Sequence, residues 1–387
     1  MTGAKSLYWP VAAGYVLASV SAYSMPVFVG AFMAAFEISA TEIGIVVSAE
    51  LLCIAVSAIV LSGRIGEINL RTVALAGCCL AIVGHGLSVV AGSFVAFVLV
   101  RAIAGLGEGM ALAAANALGA AAKQPDRVFA GAQIAVSVFV VLTVGLLPLL
   151  IAESGYRAGI LCIIGIYVLW LPAILSFPAG TEIDSTELSN NEANRFPNRR
   201  LGILTLVAFG LMAIADVAMW VFIEQIGVHI GVAPETAGLL LSIATGLGLL
   251  GAFMAGVLGD RFGRLLPMSC MLLLLAVANI GLGEATSYSS YVISLLPLNL
   301  AILFLTPYFL GTLASLDQHG SWTAASGVVL PLSFAIGPLL AGLIITEGSF
   351  AAVGWATGSC ALAALTIMIY VLRANRAEFI RPIESPP

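Results

Sequence analysis

Six ionisable side chains stand within or at the end of long apolar runs of this 387-residue chain: Glu50, His85, Arg101, Glu108, Asp216 and Glu224. A charge at the centre of a bilayer costs ~2.5–3.5 kcal/mol on insertion scales, so each central group is expected to have a function and a partner. Carboxylates in such places can bind a cationic or hydroxylated solute or carry a coupling proton, and an arginine can anchor an anionic group. Arg101 and Glu108 are seven positions apart, and seven helical steps return to within ~20° of the same direction at a rise of ~10 Å. They share a face but cannot pair directly. Glu50, about as deep in its own run, is the partner expected for Arg101. That pair could serve a solute or a proton, or simply staple two helices together.

The elements that position these groups follow from composition. The chain is 61% hydrophobic and only 9% charged, with 41 glycines and a mean hydropathy of +1.10. Soluble domains run about 25% charged, so a bilayer is the solvent that fits. Charges, Gly and Pro divide the sequence into twelve apolar stretches, within 10–36, 43–61, 72–91, 94–118, 128–151, 157–178, 201–226, 236–258, 265–283, 289–311, 322–345 and 350–372. At ~20 residues per spanning helix, the length suffices for twelve spans and little else. The first stretch reads as an uncleaved helix and not a signal peptide, because a second span follows at once.

With the N-terminus inside, the cytoplasmic loops receive every Lys and Arg except Arg157, which lies outside, and Arg101, which lies within a span. Both termini are therefore expected to be cytoplasmic. The polar segment 179–200 reads as a cytoplasmic linker between an N-terminal part, 1–178, and a C-terminal part, 201–387, that ends in a short cytoplasmic tail. Net charge −5 without a basic block argues against nucleic acid. The six cysteines fall inside apolar runs, which argues against a disulfide framework, and no residues have metal-ligand spacing. The scattered His85, His229 and His319 supply neither a nucleophile–base pair nor a metal set for an intramembrane enzyme.

A repeat joins the two parts. The loop after the eighth stretch reads Gly256-Val-Leu-Gly-Asp260-Arg261-Phe-Gly263-Arg264, and the loop after the second reads Gly63-Arg-Ile-Gly-Glu67-Ile-Asn-Leu-Arg71. Gly63 and Gly256 are 193 positions apart, and the same offset carries Glu67 onto Asp260 and Arg71 onto Arg264. A shared loop at half the chain length means an internal duplication in parallel orientation. Glycines let such a loop pass close to a neighbouring helix, while the acid can accept from N–H groups at a helix N-terminus. The arginines can then bind adjacent helix ends, so the loops are candidate conformational latches; plain positive-inside anchoring is the simpler alternative.

The second-half loop resembles the signature loop of the major facilitator superfamily, and the first-half copy is a degraded version, with Glu67, Ile68 and Leu70 replacing Asp, Arg and Gly. Arg101-Ala-Ile-Ala-Gly105-Leu-Gly107 is similar to the family's fourth-helix motif, with Ala104 where Gln is usual. The resemblance implies an all-α integral membrane fold of twelve transmembrane helices in two pseudo-symmetric six-helix bundles. Spans one, four and seven would line a central cavity, which places Arg101 there and tilts the expected substrate toward one with an anionic group. It also puts Asp216 at the cavity, opposite Tyr15 and Tyr23, since the 193-residue offset maps Asp216 onto Tyr23; Trp220, one turn further on, could stack on a ring. Span three would be peripheral, so His85 reads as a satisfied or lipid-shielded histidine, and Glu224 as a headgroup-level residue.

The expected function is secondary active transport of a small organic solute by alternating access, in a plasma membrane of the bacterial inner-membrane type. No cofactor is implied; a proton is the expected coupling ion, with Asp216, Glu108 and Glu50 as its candidate carriers. The expected partners are the solute and the bilayer, with the chain acting as a monomer. The alternative is a proton-driven exporter of drugs or amphiphiles. The fourth-helix resemblance supports that alternative, whereas Gly145-Leu-Leu-Pro148 in span five departs from the antiporter pattern.

Overall fold

The computed structural model describes residues 7–62, 64, 68–178, 198–259, 261–316, 321–347 and 349–380, the side chains of 126, 347 and 376–380 excepted. Among these residues every regular element is a helix: α1 (Tyr8–Phe36), α2 (Ala40–Ser62), α3 (Leu70–Val90), α4 (Phe94–Ala120), α5 (Pro125–Leu175), α6 (Arg199–His229), α7 (Pro234–Leu258), α8 (Leu265–Gly283), α9 (Tyr288–Leu316), α10 (Ser321–Glu347) and α11 (Phe350–Ile380). All eleven contain a stretch long and apolar enough to cross a membrane. In hydrocarbon each backbone polar group must be satisfied within its own segment, which a helix achieves alone.

Two expected stretches, 128–151 and 157–178, lie within the single element α5. Its 51 residues would extend about 76 Å at 1.5 Å per residue, against a hydrocarbon core of about 30 Å. The helix breaks at Gly155, whose φ of 75° and ψ of 173° are non-helical and lie where only glycine rests without strain. Other boundaries are chemical. Glu37 closes α1 in the left-handed conformation at φ 52°. Ser39 and Glu42 then form a reciprocal capping box for α2: Glu42 N–H donates to Ser39 Oγ at 3.2 Å, and Ser39 N–H donates to Glu42 Oε2 at 2.8 Å. Asn69 and Ser93 cap α3 and α4. α6 begins at Arg199, two residues inside the expected linker, and α11 runs past the last apolar stretch to Ile380. Residues 179–197 of the linker and 381–387 of the tail lie outside the described residues.

α1 packs on α4 and α5, and α4 on α2 and α3; in the second part α6 packs on α10 and α11, α8 on α9 and α11, and α7 on α9. Among the described residues, the main contacts that join the parts are α2 with α10, α5 with α7 and α1 with α6. Their closest approaches gather at one end, where α1 finishes and α2 begins. There Gly44 lies so close to α10 that a Cβ would sit 2.6 Å from the Pro338 carbonyl oxygen, and Gly342 lies equally hard against Ala40 of α2. Small residues let bilayer helices meet backbone to backbone. Thr41 Oγ1 donates to Thr346 Oγ1 at 2.9 Å, Leu339 N–H to Ser48 Oγ at 3.0 Å, and Ser242 Oγ of α7 to the Val141 carbonyl of α5 at 2.8 Å.

Candidate functional site

The structure gathers the candidate residues into two places. The first is a cavity of about 270 Å³ between the two parts of the chain, lined from α1, α2, α4, α5, α6, α9 and α10. Tyr15, Tyr23, Asp216 and Trp220 all line it, joined by Ser19, Gln133 and Asn299 and by apolar residues that include Leu51, Ile54, Leu112, Val136 and Phe334. Trp220 Nε1–H donates to the Tyr23 carbonyl at 3.2 Å, and the two rings meet edge to face with centroids 6.3 Å apart. Tyr15 donates its hydroxyl to Asn116 Oδ1 at 2.6 Å. Asp216 has no ion-pair or hydrogen-bond partner among the described residues, and none of the lining residues is Lys, Arg or His.

The second place is a buried polar chain within the N-terminal helices. Three glycines of α4 build it. A Cβ on Gly105 would collide with the Glu50 carbonyl of α2, one on Gly109 with the Ile54 carbonyl, and one on Gly107 with Gly77 and Ala81 of α3. Because Gly105 lies one turn beyond Arg101, the close approach at Glu50 also brings the Glu50 side chain to the guanidinium. Arg101 Nε donates to Glu50 Oε2 at 2.8 Å, and Nη2 closes on the same oxygen. Nη2 also donates to Ser21 Oγ at 3.1 Å, and Ser21 donates in turn to Glu50 Oε1 at 2.9 Å.

Arg101 Nη1 lies 2.9 Å from His85 Nδ1. A guanidinium can only donate, so Nδ1 accepts and the ring proton sits on Nε2. Nε2–H then donates to Glu108 Oε1 at 2.9 Å. Tyr167 of α5 completes the chain, its hydroxyl 2.6 Å from Glu108 Oε1 and 2.7 Å from the Leu17 carbonyl. Thus Arg101 pairs with Glu50, and His85 bridges the gap to Glu108 that helical spacing left open. Donor atoms of Glu50, His85 and Glu108 lie within 4.8 Å of one another, but Arg101 already supplies the positive charge that a metal ion would bring. Arg101, Glu50 and Glu108 are not among the residues that line the cavity. Glu224, expected at headgroup level, lies near the end of α6 and is 4% exposed.

Of the loop residues, Gly63, Glu67 and Asp260 lie outside the described residues. Gly263 takes φ 65°, and Arg264 Nη1 donates to the Gly311 carbonyl of α9 at 2.7 Å. Tyr308 donates to the Gly259 carbonyl at 2.7 Å, which holds the same loop onto α9. Gly256 and Arg261 are exposed, and Arg71 is half-buried in the first turn of α3. Sequence reasoning missed Asn299, Gln133, Ser21 and Tyr167. An amide inside an apolar, twice proline-interrupted helix was the available signal for Asn299; a tyrosine or serine among apolar neighbours carries none.

The profile of the Major Facilitator Superfamily matches residues 11–204 and again 201–386. The chain belongs to this superfamily. It is a multi-pass membrane protein with the major facilitator fold. Solved members share that fold at low identity. The "D-xylose-proton symporter" matches with a TM-score of 0.75 at 17% identity, over 94% of this chain and 97% of its own. A point mutant of the "nucleoside transporter NupG" matches with a TM-score of 0.75 at 13% identity, over 94% of this chain and 99% of its own. Among curated proteins, none matches the sequence.

Proposed function

We propose that this chain is a secondary transporter of a small organic solute, working by alternating access in a plasma membrane and driven by protons. In this reading α5 spans twice, the twelve spans form two six-helix bundles divided by the 179–200 linker, and both termini are cytoplasmic. The glycine-lined seam between α2 and α10 is then the closed outer gate, and the cavity faces inward. The loops around Gly256–Arg264 and Gly63–Arg71 act as cytoplasmic latches, and Arg264 on the Gly311 carbonyl supports that role for the second loop.

One observation carries the proposal: an unpartnered carboxylate, Asp216, lines a cavity that lies between the two parts of the chain and beside their contacts. Drying a carboxyl group favours its neutral form, and wetting it favours the ionised form. A group in a chamber that alternately opens and closes can therefore take up a proton on one side and release it on the other. A thermal-shift screen against carboxylates, sugars, amines and dyes supplies the ligand, which stabilises the protein by mass action. In proteoliposomes, Asp216→Asn is expected to lose accumulation driven by a pH gradient while keeping solute exchange at saturating solute, which moves no net proton. Undiminished accumulation by Asp216→Asn removes Asp216 as the coupling site, and a wild type indifferent to pH gradients removes proton coupling. The second reading, a proton-driven exporter of amphiphiles, is favoured by the apolar walls that Leu51, Ile54, Leu112 and Val136 give the cavity.

A further inference from the structure

We infer that the cavity binds small organic amines, with the ammonium group on Asp216 and an apolar or aromatic body against the walls. The inference rests on the reading of this cavity as the transport site and names its substrate class. Charge comes first. Asp216 is the one carboxylate among the described lining residues, and no cationic side chain stands among them. Whenever Asp216 is ionised, an anionic solute would meet a like charge with no cationic side chain to offset it. Arg101 cannot help, because its guanidinium is engaged behind the wall by Glu50, Ser21 and His85.

The supply of hydrogen bonds then separates amines from polyols. The Trp220 indole N–H is held by the Tyr23 carbonyl and the Tyr15 hydroxyl proton by Asn116. Ser19, Gln133, Asn299 and Asp216 remain for a solute, so a polyhydroxylated one would still turn some hydroxyls toward Leu51, Ile54 and Val136, and each unpaired hydroxyl is disfavoured on leaving water. An amine concentrates its polarity in one head group that a single carboxylate satisfies by a charge-assisted bond. Trp220 follows Asp216 by one helical turn and meets Tyr23 edge to face, so an ammonium at Asp216 lies beside aromatic rings, which attract cations.

Asn299 adds a second point of recognition. The residue is 8% exposed and lines the cavity; Nδ2 is buried without a hydrogen-bond partner, which leaves the unpaired amide oxygen as the atom the cavity reaches. A free amide acceptor in a ligand cavity calls for a donor on the ligand, such as a hydroxyl on the amine's body. The volume of about 270 Å³ lies just below the usual range for drug-sized ligands, which points to a small amine.

Three probes on one skeleton test this by titration calorimetry with the purified full-length protein: 2-phenylethylamine, 2-phenylethanol and phenylacetate, carrying positive, zero and negative charge. The amine is expected to bind at least about tenfold more tightly than the alcohol, the difference a charge-assisted bond makes, and phenylacetate not to bind. Asp216→Asn should bring the amine down to the level of the alcohol, whereas Asp216→Glu, which keeps the charge and controls for folding, should retain most of the preference. Asn299→Ala should erase any gain of 2-amino-1-phenylethanol over 2-phenylethylamine. Tighter binding of phenylacetate, equal binding of amine and alcohol, an Asp216→Asn variant with unchanged amine affinity, or no binding of any probe overturns the inference. An amine that binds through Asp216 but is not carried into proteoliposomes leaves this site standing and sinks the transport reading. Gradient-driven uptake of an anion or a sugar does the reverse.

Discussion

At the residue scale, Arg101 serves three partners at once, with Glu50, Ser21 and His85 all on its guanidinium. Both members of the Arg101–Glu50 pair are buried. Removing one partner of such a pair leaves an uncompensated charge, at about 3–5 kcal/mol. Arg101→Ala is therefore expected to lower the thermal unfolding midpoint sharply, and adding Glu50→Gln in the same chain to recover much of the loss. Arg101→Lys should recover less, because an ammonium cannot serve Glu50, Ser21 and His85 from one planar fork. A normal midpoint for Arg101→Ala with ligand binding abolished would make Arg101 a solute anchor. The Arg101–Glu50 pairing was legible from depth alone. The bridging role of His85 was not, since a position along a span does not reveal which neighbour the ring meets.

At the element scale, the contact of α2 with α10 is the seam whose opening the proposed mechanism requires. Its backbones touch at Gly44 and Gly342, and Thr41 and Thr346 bond side chain to side chain at 2.9 Å. The contact makes the pair a natural place to test a cross-link between cysteines. In a cysteine-free background, Thr41→Cys with Thr346→Cys should cross-link on mild oxidation and stop transport, and reduction should restore it. Full transport by a fully cross-linked protein would mean that this end never opens. Pro331 and Pro338 of α10 interrupt helix hydrogen bonding beside the seam. The pair Gly337-Pro338 and the glycines were visible in the sequence, but their partners on α2, some 300 positions away, were not.

At the scale of the whole molecule, the orientation rests on the distribution of Lys and Arg. A membrane-impermeant maleimide should modify Ser154→Cys, exposed beside the Gly155 break, in intact cells. Ser189→Cys in the linker should react only after permeabilisation. The opposite pattern reverses the orientation, and with it the inward-facing reading of the cavity. Residues on the closed seam and on the cavity wall then exchange their assigned sides, but the geometry among them is unchanged.

Composition and spacing alone determined the solvent, the helical class and the duplication. Hydrocarbon leaves a spanning backbone little choice but a helix, and a 193-residue offset that lines up Gly63 with Gly256 also lines up Tyr23 with Asp216, which do line one cavity. Only the tertiary structure decided which way each helix faces. In water an apolar stripe marks the buried side, but in a bilayer the lipid-facing and protein-facing sides are equally apolar, so periodicity carries little rotational information. Rotation is set where a glycine meets a carbonyl. Gly105 against Glu50 turns Arg101 toward α2 and α3, and packing around α9 turns Asn299 into the cavity. For that reason the expected anion anchor lies in a buried ion pair, and the cavity was left to Asp216.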